Sequence, residues 1–248
     1  MTKDPFRHHP GLRSLITAPE QSYFRDISAE KVRASLEEHG VGGDILPMLS
    51  DAEREADRDA ALAEYGPGDV WIFGYGSLMW DPAVRFAEVR RARVAGLARR
   101  FILKDVYGGR GDRERPGLMV ALDHVAGAHC DGLVYRIDAD LVDTETRILW
   151  ARERIGPAYL SAVITAETAL GPVRTLTFLA DHSAELIAAD LSFDQQVEYC
   201  ATGTGFLGSS LDYARNIAAH FQELGIDDPD VTRLVTAAKA HTAAASSG

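Results

Sequence analysis

The sequence predicts a mixed α+β domain that follows a charged, helical N-terminal extension. Along the chain, strand-like runs mostly neighbour other strand-like runs, with helices between and after them, which favours α+β over a doubly wound β-α-β fold. The composition also changes at Gly66-Pro67-Gly68, where a charged, helix-like stretch gives way to strand signals. We therefore predict an extension over residues 1–68, a domain over 69–228, and a C-terminal helix with a disordered tail over 229–248.

The helices of the extension are predicted from their end signals. The first begins at Ser28 and ends at Gly40. The second begins at Ser50, where Glu53 completes a capping box, and it ends at Gly66. Both helices carry few large apolar residues, so we do not expect them to form a core of their own.

The predicted domain consists of short apolar runs, most of them bounded by glycine or proline, and three helices. The strand-like runs are residues 70–74, stretches within 92–103, 118–122, 133–137, 159–167 and 173–179, the last two forming a hairpin. Residues 138–152 look helical. A further helix is capped by Ser192 with Gln195, and another covers 211–224 and stops at Gly225.

Composition and charge exclude several classes of function. The chain has 248 residues, 46% of them hydrophobic, which is enough for a sizeable core, and a net charge of −11. That charge argues against duplex nucleic acid or an anionic membrane as partner, because both reward clustered Lys and Arg. The two cysteines, Cys130 and Cys200, lack metal-ligand spacing. No membrane span or signal peptide is evident, so we expect a cytoplasmic location; the sequence predicts no oligomeric state.

A glycine-rich loop, Gly74-Tyr75-Gly76-Ser77-Leu78, directly follows the first predicted strand. Two glycines one residue apart allow consecutive N–H groups to face one side, which forms an anion-binding concavity. A dinucleotide fingerprint would need a third glycine at Met79, and a phosphate loop would need Gly-Lys-Ser/Thr. Ser77 is not in a Gly-x-Ser-x-Gly elbow either. The remaining alternative is a tight turn with core aromatic residues around it.

Five blocks between residues 70 and 226 together carry a resemblance to a known family. They are Val-Trp-Ile-Phe-Gly-Tyr-Gly-Ser-Leu-Met-Trp at 70–80, Arg-Gly-Asp-Arg-Glu-Arg-Pro-Gly-Leu-Met at 110–119, Cys-Asp-Gly-Leu-Val-Tyr-Arg at 130–136, Arg-Glu at 152–153 with Tyr159, and Gly-Thr-Gly-Phe-Leu-Gly at 203–208 with Asp-Tyr at 212–213 and Leu-Gly-Ile at 224–226. In this order they resemble the ChaC-type γ-glutamylcyclotransferases. The resemblance departs from the family at Asp112 and Arg113, where the family has Thr-Pro.

The resemblance implies a fold and an activity. The fold would be the γ-glutamylcyclotransferase-like one, a small barrel-like mixed sheet with flanking helices. The activity would be cyclisation of the γ-glutamyl part of glutathione to 5-oxoproline with release of Cys-Gly, without a cofactor or a metal. One alternative is a cyclotransferase for another γ-glutamyl metabolite. A second is a non-catalytic module that retains the γ-glutamyl pocket.

The resemblance also implies site residues. Glu153 would be the general acid/base, the loop from Gly74 to Leu78 would hold the γ-glutamyl group, and Arg110, Tyr159 and Tyr213 would contact the substrate. Read without the resemblance, Arg152-Glu153-Arg154 is a solvated run of ion pairs. In the same way, Tyr213 is a core aromatic of its helix.

Overall fold

The computed structural model describes residues 4–40 and 46–245, and they form two compact units, each built from three segments. The first unit consists of Met1–Ser28, Met48–Arg99 and Leu122–Ala180; the second consists of Ala29–Pro47, Arg100–Ala121 and Asp181–Gly248. The divisions after residues 68 and 228 stay predictions.

A closed five-stranded barrel is the main feature of the fold. Its strands are β1 (Val70–Gly74), β2 (Glu88–Asp105), β3 (Gly117–Ile137), β4 (Tyr159–Thr168) and β5 (Val173–Ala180). They pair in the order β1-β3-β2-β4-β5, and β3 also pairs with β5. The β1–β3 and β4–β5 pairs are antiparallel, as the predicted hairpin requires, whereas Ile72 of β1 pairs in parallel with Leu176 of β5. The α+β class with a mixed, barrel-like sheet is confirmed.

The strands β2 and β3 are longer than the sequence predicts. Residues 118–122 and 133–137 are the two ends of the single strand β3, not separate strands. The residues between them include a mostly exposed stretch, 124–129, with Gly127 at a φ of +78°. Strand propensity reflects a half-buried surface, so it understates a strand whose side chains face solvent while its backbone remains paired.

Two helices cover the core of the first unit. They are α2 (Asp51–Tyr65), which has the predicted capping box at Ser50, and α3 (Val142–Glu153), which is shorter than the predicted 138–152 at its start. The Trp150 indole of α3 donates a hydrogen bond of 2.6 Å to Asp57 of α2. The core cluster of this unit consists of Ala61, Val70, Ile72, Leu78, Val84, Ile137, Leu149, Trp150, Leu176 and Phe178.

The segment of residues 4–28, which we call the N-terminal arm, also belongs to the first unit. It contains three short 3₁₀ turns and joins the rest of the unit through its backbone. The Val89 N–H donates to the Pro5 carbonyl at 3.1 Å, and the Thr17 N–H donates to the Trp80 carbonyl at 2.7 Å. The arm is therefore fixed along its length, although no sequence motif predicted a role for it.

The second unit is mainly helical. Its helices are α1 (Ala29–Glu38), α4 (Phe193–Thr202), α5 (Ser210–Leu224) and α6 (Pro229–Ala245). The Ser192–Gln195 capping box and the left-handed Gly225 confirm the predicted start of α4 and end of α5. Residues 243–245 of the predicted tail are helical, and 246–248 lie outside the described residues, as does part of the stretch after Gly40. No helix in the described ranges combines the length and apolarity needed to cross a membrane.

The glycines of the block at 203–208 allow close backbone packing within the second unit. This block forms the two-residue strands β6 (Thr204–Gly205) and β7 (Gly208–Ser209). A Cβ added to Gly203 would lie 2.5 Å from the Gly117 Cα, so a larger residue does not fit. The Leu207 N–H donates to the Gly109 carbonyl at 2.8 Å.

Candidate active site

The glycine-rich loop of residues 74–78 leaves the barrel at the end of β1 and is held by its own side chains. The Tyr75 hydroxyl donates a hydrogen bond of 2.9 Å to the Phe178 carbonyl, and Leu78 belongs to the core cluster. A Cβ at Gly74 would lie 2.9 Å from the Leu78 Cβ, which explains the glycine there. Because Tyr75 and Leu78 are buried in the fold, Ser77 and the backbone are the parts of the loop left for a ligand.

The backbone of the loop continues into a 3₁₀ turn, Ser77–Met79. Within this turn the Met79 N–H donates to the Gly76 carbonyl and the Asp81 N–H to the Ser77 carbonyl, both at 2.9 Å. The first N–H groups of a helical turn have no partner inside it. In the part of the chain that the structure describes, no acceptor meets the N–H groups of Gly76, Ser77 or Leu78. These donors can receive an anionic oxygen.

Glu153 is the last residue of α3, and its carboxyl is largely buried. Its side chain is 13% exposed, and the adjacent Arg152 side chain is 5% exposed. This burial excludes the alternative of a solvated ion-pair run. Burial raises the pKa of Glu153 above its ordinary value, the Arg152 guanidinium partly opposes that increase, and the negative charge of Asp81 adds to it. A carboxyl with a raised pKa is better suited to both accept and return a proton during a reaction.

Arg152 joins the carboxyl to the loop. Its Nε lies 2.9 Å from Glu153 Oε1, and its Nη2 donates to Ser77 Oγ at 2.8 Å. Its Nη1 donates to the Asp81 carbonyl. One guanidinium therefore contacts both predicted parts of the site, the loop and the acid/base, which places them side by side in the first unit.

Sequence reasoning missed two buried arginines that a closer reading of periodicity could have found. Arg152 follows Glu145 and Leu149 at the i, i+4, i+7 spacing of one helix face, and Leu149 belongs to the core. Arg99 alternates with Leu97 and Phe101 at inward positions of β2, and its Nε donates to the Tyr75 carbonyl at 2.6 Å. A charged residue at a position where the period of the helix or strand places buried apolar residues indicates that its side chain is buried and pairs with a polar group there.

Asp81, near the loop and Glu153, has a buried side-chain oxygen without a hydrogen-bond partner in the described part of the chain. Its Oδ1 is inaccessible to solvent and has no hydrogen-bond partner among the described residues. Buried acceptors without a partner are rare in proteins, and each needs an explanation. Here a negative, unpaired oxygen lies close enough to Glu153 to raise the pKa of that carboxyl.

The other predicted site residues are divided between the two units. Tyr159 begins β4 and packs against the core cluster of the first unit. Arg110 and Tyr213 lie in the second unit, where the guanidinium carbon is 4.9 Å from the centre of the tyrosine ring. Tyr213 is 4% exposed, and its hydroxyl accepts from the Val120 N–H at 3.4 Å. It is thus a buried aromatic of α5, and the substrate roles of Arg110, Tyr159 and Tyr213 stay predictions.

The departure at Asp112 and Arg113 preserves a turn without the family's proline. Asp112 Oδ1 accepts hydrogen bonds from the Glu114 N–H at 2.9 Å and the Arg115 N–H at 2.7 Å. An aspartate that bonds its own following backbone in this way stabilises a turn. The Asp112 side-chain oxygen therefore stabilises this turn, as the rigid ring of a proline would.

Comparisons with known proteins agree with the fold. A model of the family described as ChaC-like protein matches residues 70–241. A glutathione-specific γ-glutamylcyclotransferase from Escherichia coli K12 is 32% identical over 195 residues, covering 77% of this chain and 83% of that protein. The human glutathione-specific γ-glutamylcyclotransferase 1 is 29% identical over 167 residues, covering 64% and 72%. The crystal structure of a yeast γ-glutamyl cyclotransferase specific to glutathione matches with a TM-score of 0.64 at 17% identity, over 70% of this chain and 96% of that one.

Proposed function

The chain belongs to the ChaC-like protein family, and from that premise we propose that it is a γ-glutamylcyclotransferase that converts glutathione into 5-oxoproline and Cys-Gly. The observation that carries the proposal is the buried Glu153 carboxyl, whose pKa is raised and which Arg152 joins to Ser77 of the glycine-rich loop. The relatives named as glutathione-specific support the choice of substrate. A cytoplasmic location is part of the proposal.

The proposed reaction needs no nucleophile from the protein. A γ-glutamyl amide carries its own, the α-amine, tethered at the distance that closes a five-membered ring on the γ-carbonyl carbon. Such an intramolecular attack gains the large advantage of a held geometry. A C–N bond forms in the ring, the amide C–N bond breaks, and no water is consumed.

Glu153 is the proposed carrier of protons in this reaction. The ionised carboxyl takes a proton from the substrate's α-ammonium, which frees the amine to attack. Glu153 then gives this proton to the nitrogen of the departing Cys-Gly, which leaves as an amine. The regenerated carboxylate takes the second proton from the ring nitrogen, which becomes the lactam N–H, and passes it to the released amine or to solvent. Burial suits Glu153 to both steps. It raises the pKa of the carboxyl, and a carboxyl with a raised pKa binds the proton of the ammonium group more readily than an exposed one and can still release it to the departing nitrogen.

The loop is the proposed holder of negative charge. The N–H groups of Gly76, Ser77 and Leu78 are suited either to the oxyanion that forms at the γ-carbonyl or to the substrate's α-carboxylate. Arg110, Tyr159 and Tyr213 remain proposed substrate contacts on the family resemblance alone.

The test is an incubation of the purified protein with glutathione, several γ-glutamyl dipeptides and N-acetylglutathione, with 5-oxoproline and glutamate quantified separately. We expect 5-oxoproline from glutathione and none from N-acetylglutathione, whose amine is blocked. Glutamate in place of 5-oxoproline would indicate hydrolysis and contradict the cyclisation.

The same assay separates the alternatives. Product from a γ-glutamyl dipeptide but not from glutathione would keep the chemistry and change the substrate. The absence of product from every compound, with binding of glutathione retained in calorimetry, would favour a non-catalytic module.

A further inference from the structure

The N-terminal arm reaches the candidate active site through one aromatic ring. The guanidinium carbon of Arg152 lies 4.1 Å from the centre of the Phe24 ring. This is stacking distance for an arginine and an aromatic face, and the contact is strongest when the arginine is shielded from water. Arg152 meets that condition, because its side chain is 5% exposed.

Phe24 is itself held on both sides. Its N–H donates to Ser22 Oγ at 3.1 Å. The next residue, Arg25, makes an ion pair with Glu145 through both terminal nitrogens, with Nη2 at 2.9 Å, and its Nη1 donates to the Ala83 carbonyl at 3.1 Å. The ring position is thus set by an anchor that is independent of Arg152.

The anchor and the ring engage the same helix. Glu145 and Arg152 are seven residues apart on α3, which is two helical turns and hence one face. Arg25 of the arm contacts the first position and Phe24 the second. The arm consequently lies along the face of α3 that leads to Glu153.

The contacts of Arg152 are of two kinds: hydrogen bonds at the edges of the planar guanidinium and stacking on its face. Its three nitrogens bond to Glu153, Ser77 and the Asp81 carbonyl, which constrains the guanidinium at its edges. Stacking acts on the face of the planar group, where these hydrogen bonds do little. We propose that Phe24 is a positioning residue of the active site, which holds the Arg152 guanidinium in the orientation that contacts both Glu153 and the loop.

The consequence for catalysis rests on the proposed function, but the consequence for Glu153 does not. Two charged groups act on the Glu153 carboxyl: Arg152, which favours the ionised form, and Asp81, which opposes it. If the guanidinium loses its stacking surface, its contact with the carboxylate weakens. The pKa of Glu153 should then rise further.

The experiment measures that pKa directly, by NMR titration of protein labelled with ¹³C at the glutamate carboxyl, with the Glu153 signal assigned by its loss in Glu153→Gln. The variants are Phe24→Leu, which removes the ring, and Phe24→Trp, which keeps an aromatic face. The matched control is Phe6→Leu, because Phe6 is also an arm aromatic under an arginine, with Arg13 at 4.8 Å, and it contacts Phe86 at 5.5 Å.

We expect an upward shift of the Glu153 titration in Phe24→Leu and wild-type behaviour in Phe24→Trp and Phe6→Leu. With an active substrate, kcat should fall about 10- to 100-fold in Phe24→Leu with little change in KM, as for a misoriented group. Should Phe24→Leu not fold, Phe24→Met replaces it, since it keeps the volume without the ring.

An unchanged Glu153 titration in the ring-less variant overturns the inference, whether or not the protein cyclises any substrate. Equal shifts in Phe24→Leu and Phe6→Leu overturn it as well, because they would mean that the arm only stabilises the fold. A wild-type protein that makes no 5-oxoproline contradicts the proposed function instead, while the titration still decides whether Phe24 positions Arg152.

Discussion

Helix α3 carries a fully buried glutamate in its first turn and a largely buried one in its last turn, and the two have very different surroundings. Glu145, in the first turn, is fully buried. Its carboxylate forms an ion pair with both terminal nitrogens of Arg25 and accepts a hydrogen bond of 2.9 Å from the Arg85 N–H. Glu153, in the last turn, has a side chain that is 13% exposed, and within the described ranges its carboxyl pairs with Arg152 alone, through Nε. Burial raises its pKa.

The difference shows how one helix can use the same side chain for structure and for chemistry. A carboxylate that accepts three hydrogen bonds from two other segments ties those segments to its helix. A carboxyl with one partner and little water around it has a raised pKa, so it can change between its protonated and ionised forms during a reaction. The number of partners, rather than burial alone, separates the two.

The largest expected effect is on catalysis at Glu153. Glu153→Gln keeps the shape and the bond to Arg152 but removes the proton carrier. We expect 5-oxoproline formation to fall by at least about 10²-fold, the usual effect of losing a general base. Steady-state assays with glutathione measure this, with circular dichroism to show that the fold is retained. Full activity in this variant would mean that another group moves the proton.

The other glutamate should affect stability. Glu145→Gln leaves the Arg25 guanidinium without its buried counter-charge, and breaking such a pair typically costs about 3 kcal/mol. Urea unfolding should show a free energy of unfolding lower by about this amount, and a larger loss than in Glu153→Gln. Equal losses in free energy of unfolding in the two variants would contradict the assignment of a structural role to Glu145 and a catalytic role to Glu153.

The pH dependence of stability should differ in sign from that of an ordinary paired carboxylate. Because the folded pKa of Glu153 is raised above its unfolded value of about 4.3, the folded state holds the proton more tightly, and stability is lost as the pH rises through the folded pKa. Glu153→Gln should therefore gain free energy of unfolding over wild type as pH increases from about 4. Unfolding curves measured between acidic and neutral pH test this; a gap that narrows with rising pH contradicts it.

The smallest expected effect is at Asp81. Asp81→Asn removes the negative charge that raises the pKa of Glu153, so that pKa should fall. The acidic limb of the kcat/KM profile should move to lower pH, since it reports the essential base of the free enzyme. Asp59→Asn, a change of equal charge at a side chain that is 66% exposed, serves as the control and should leave the limb in place.

Most of the fold could be predicted because its signals are local. The capping boxes at Ser50 and Ser192 and the stop at Gly225 predicted helix ends that the structure confirms. The continuous strand β3 could not be predicted in this way, because its middle, residues 124–129, is mostly exposed and lacks an apolar strand pattern.

The candidate site also contains residues that local sequence motifs predicted and contacts that they could not predict. The loop and Glu153 were identified as a set of motifs in a family order, which sequence carries well. The role of Arg152 depends on a three-way meeting of α3, the loop and the arm, and only the folded chain brings Phe24 to that point. A spacing rule could have flagged Arg152 as buried, but not its partners.

The parallel pairing of Ile72 with Leu176 has a consequence for synthesis of the chain. These two positions are separated by ~100 residues, so β1 leaves the ribosome roughly 5–20 s before its β5 neighbour exists. During that interval β1 has one edge without its final partner, and an exposed strand edge invites association with other chains. Closure of the barrel is thus a late, non-local event, which is the kind of topology that folds slowly and benefits from chaperones.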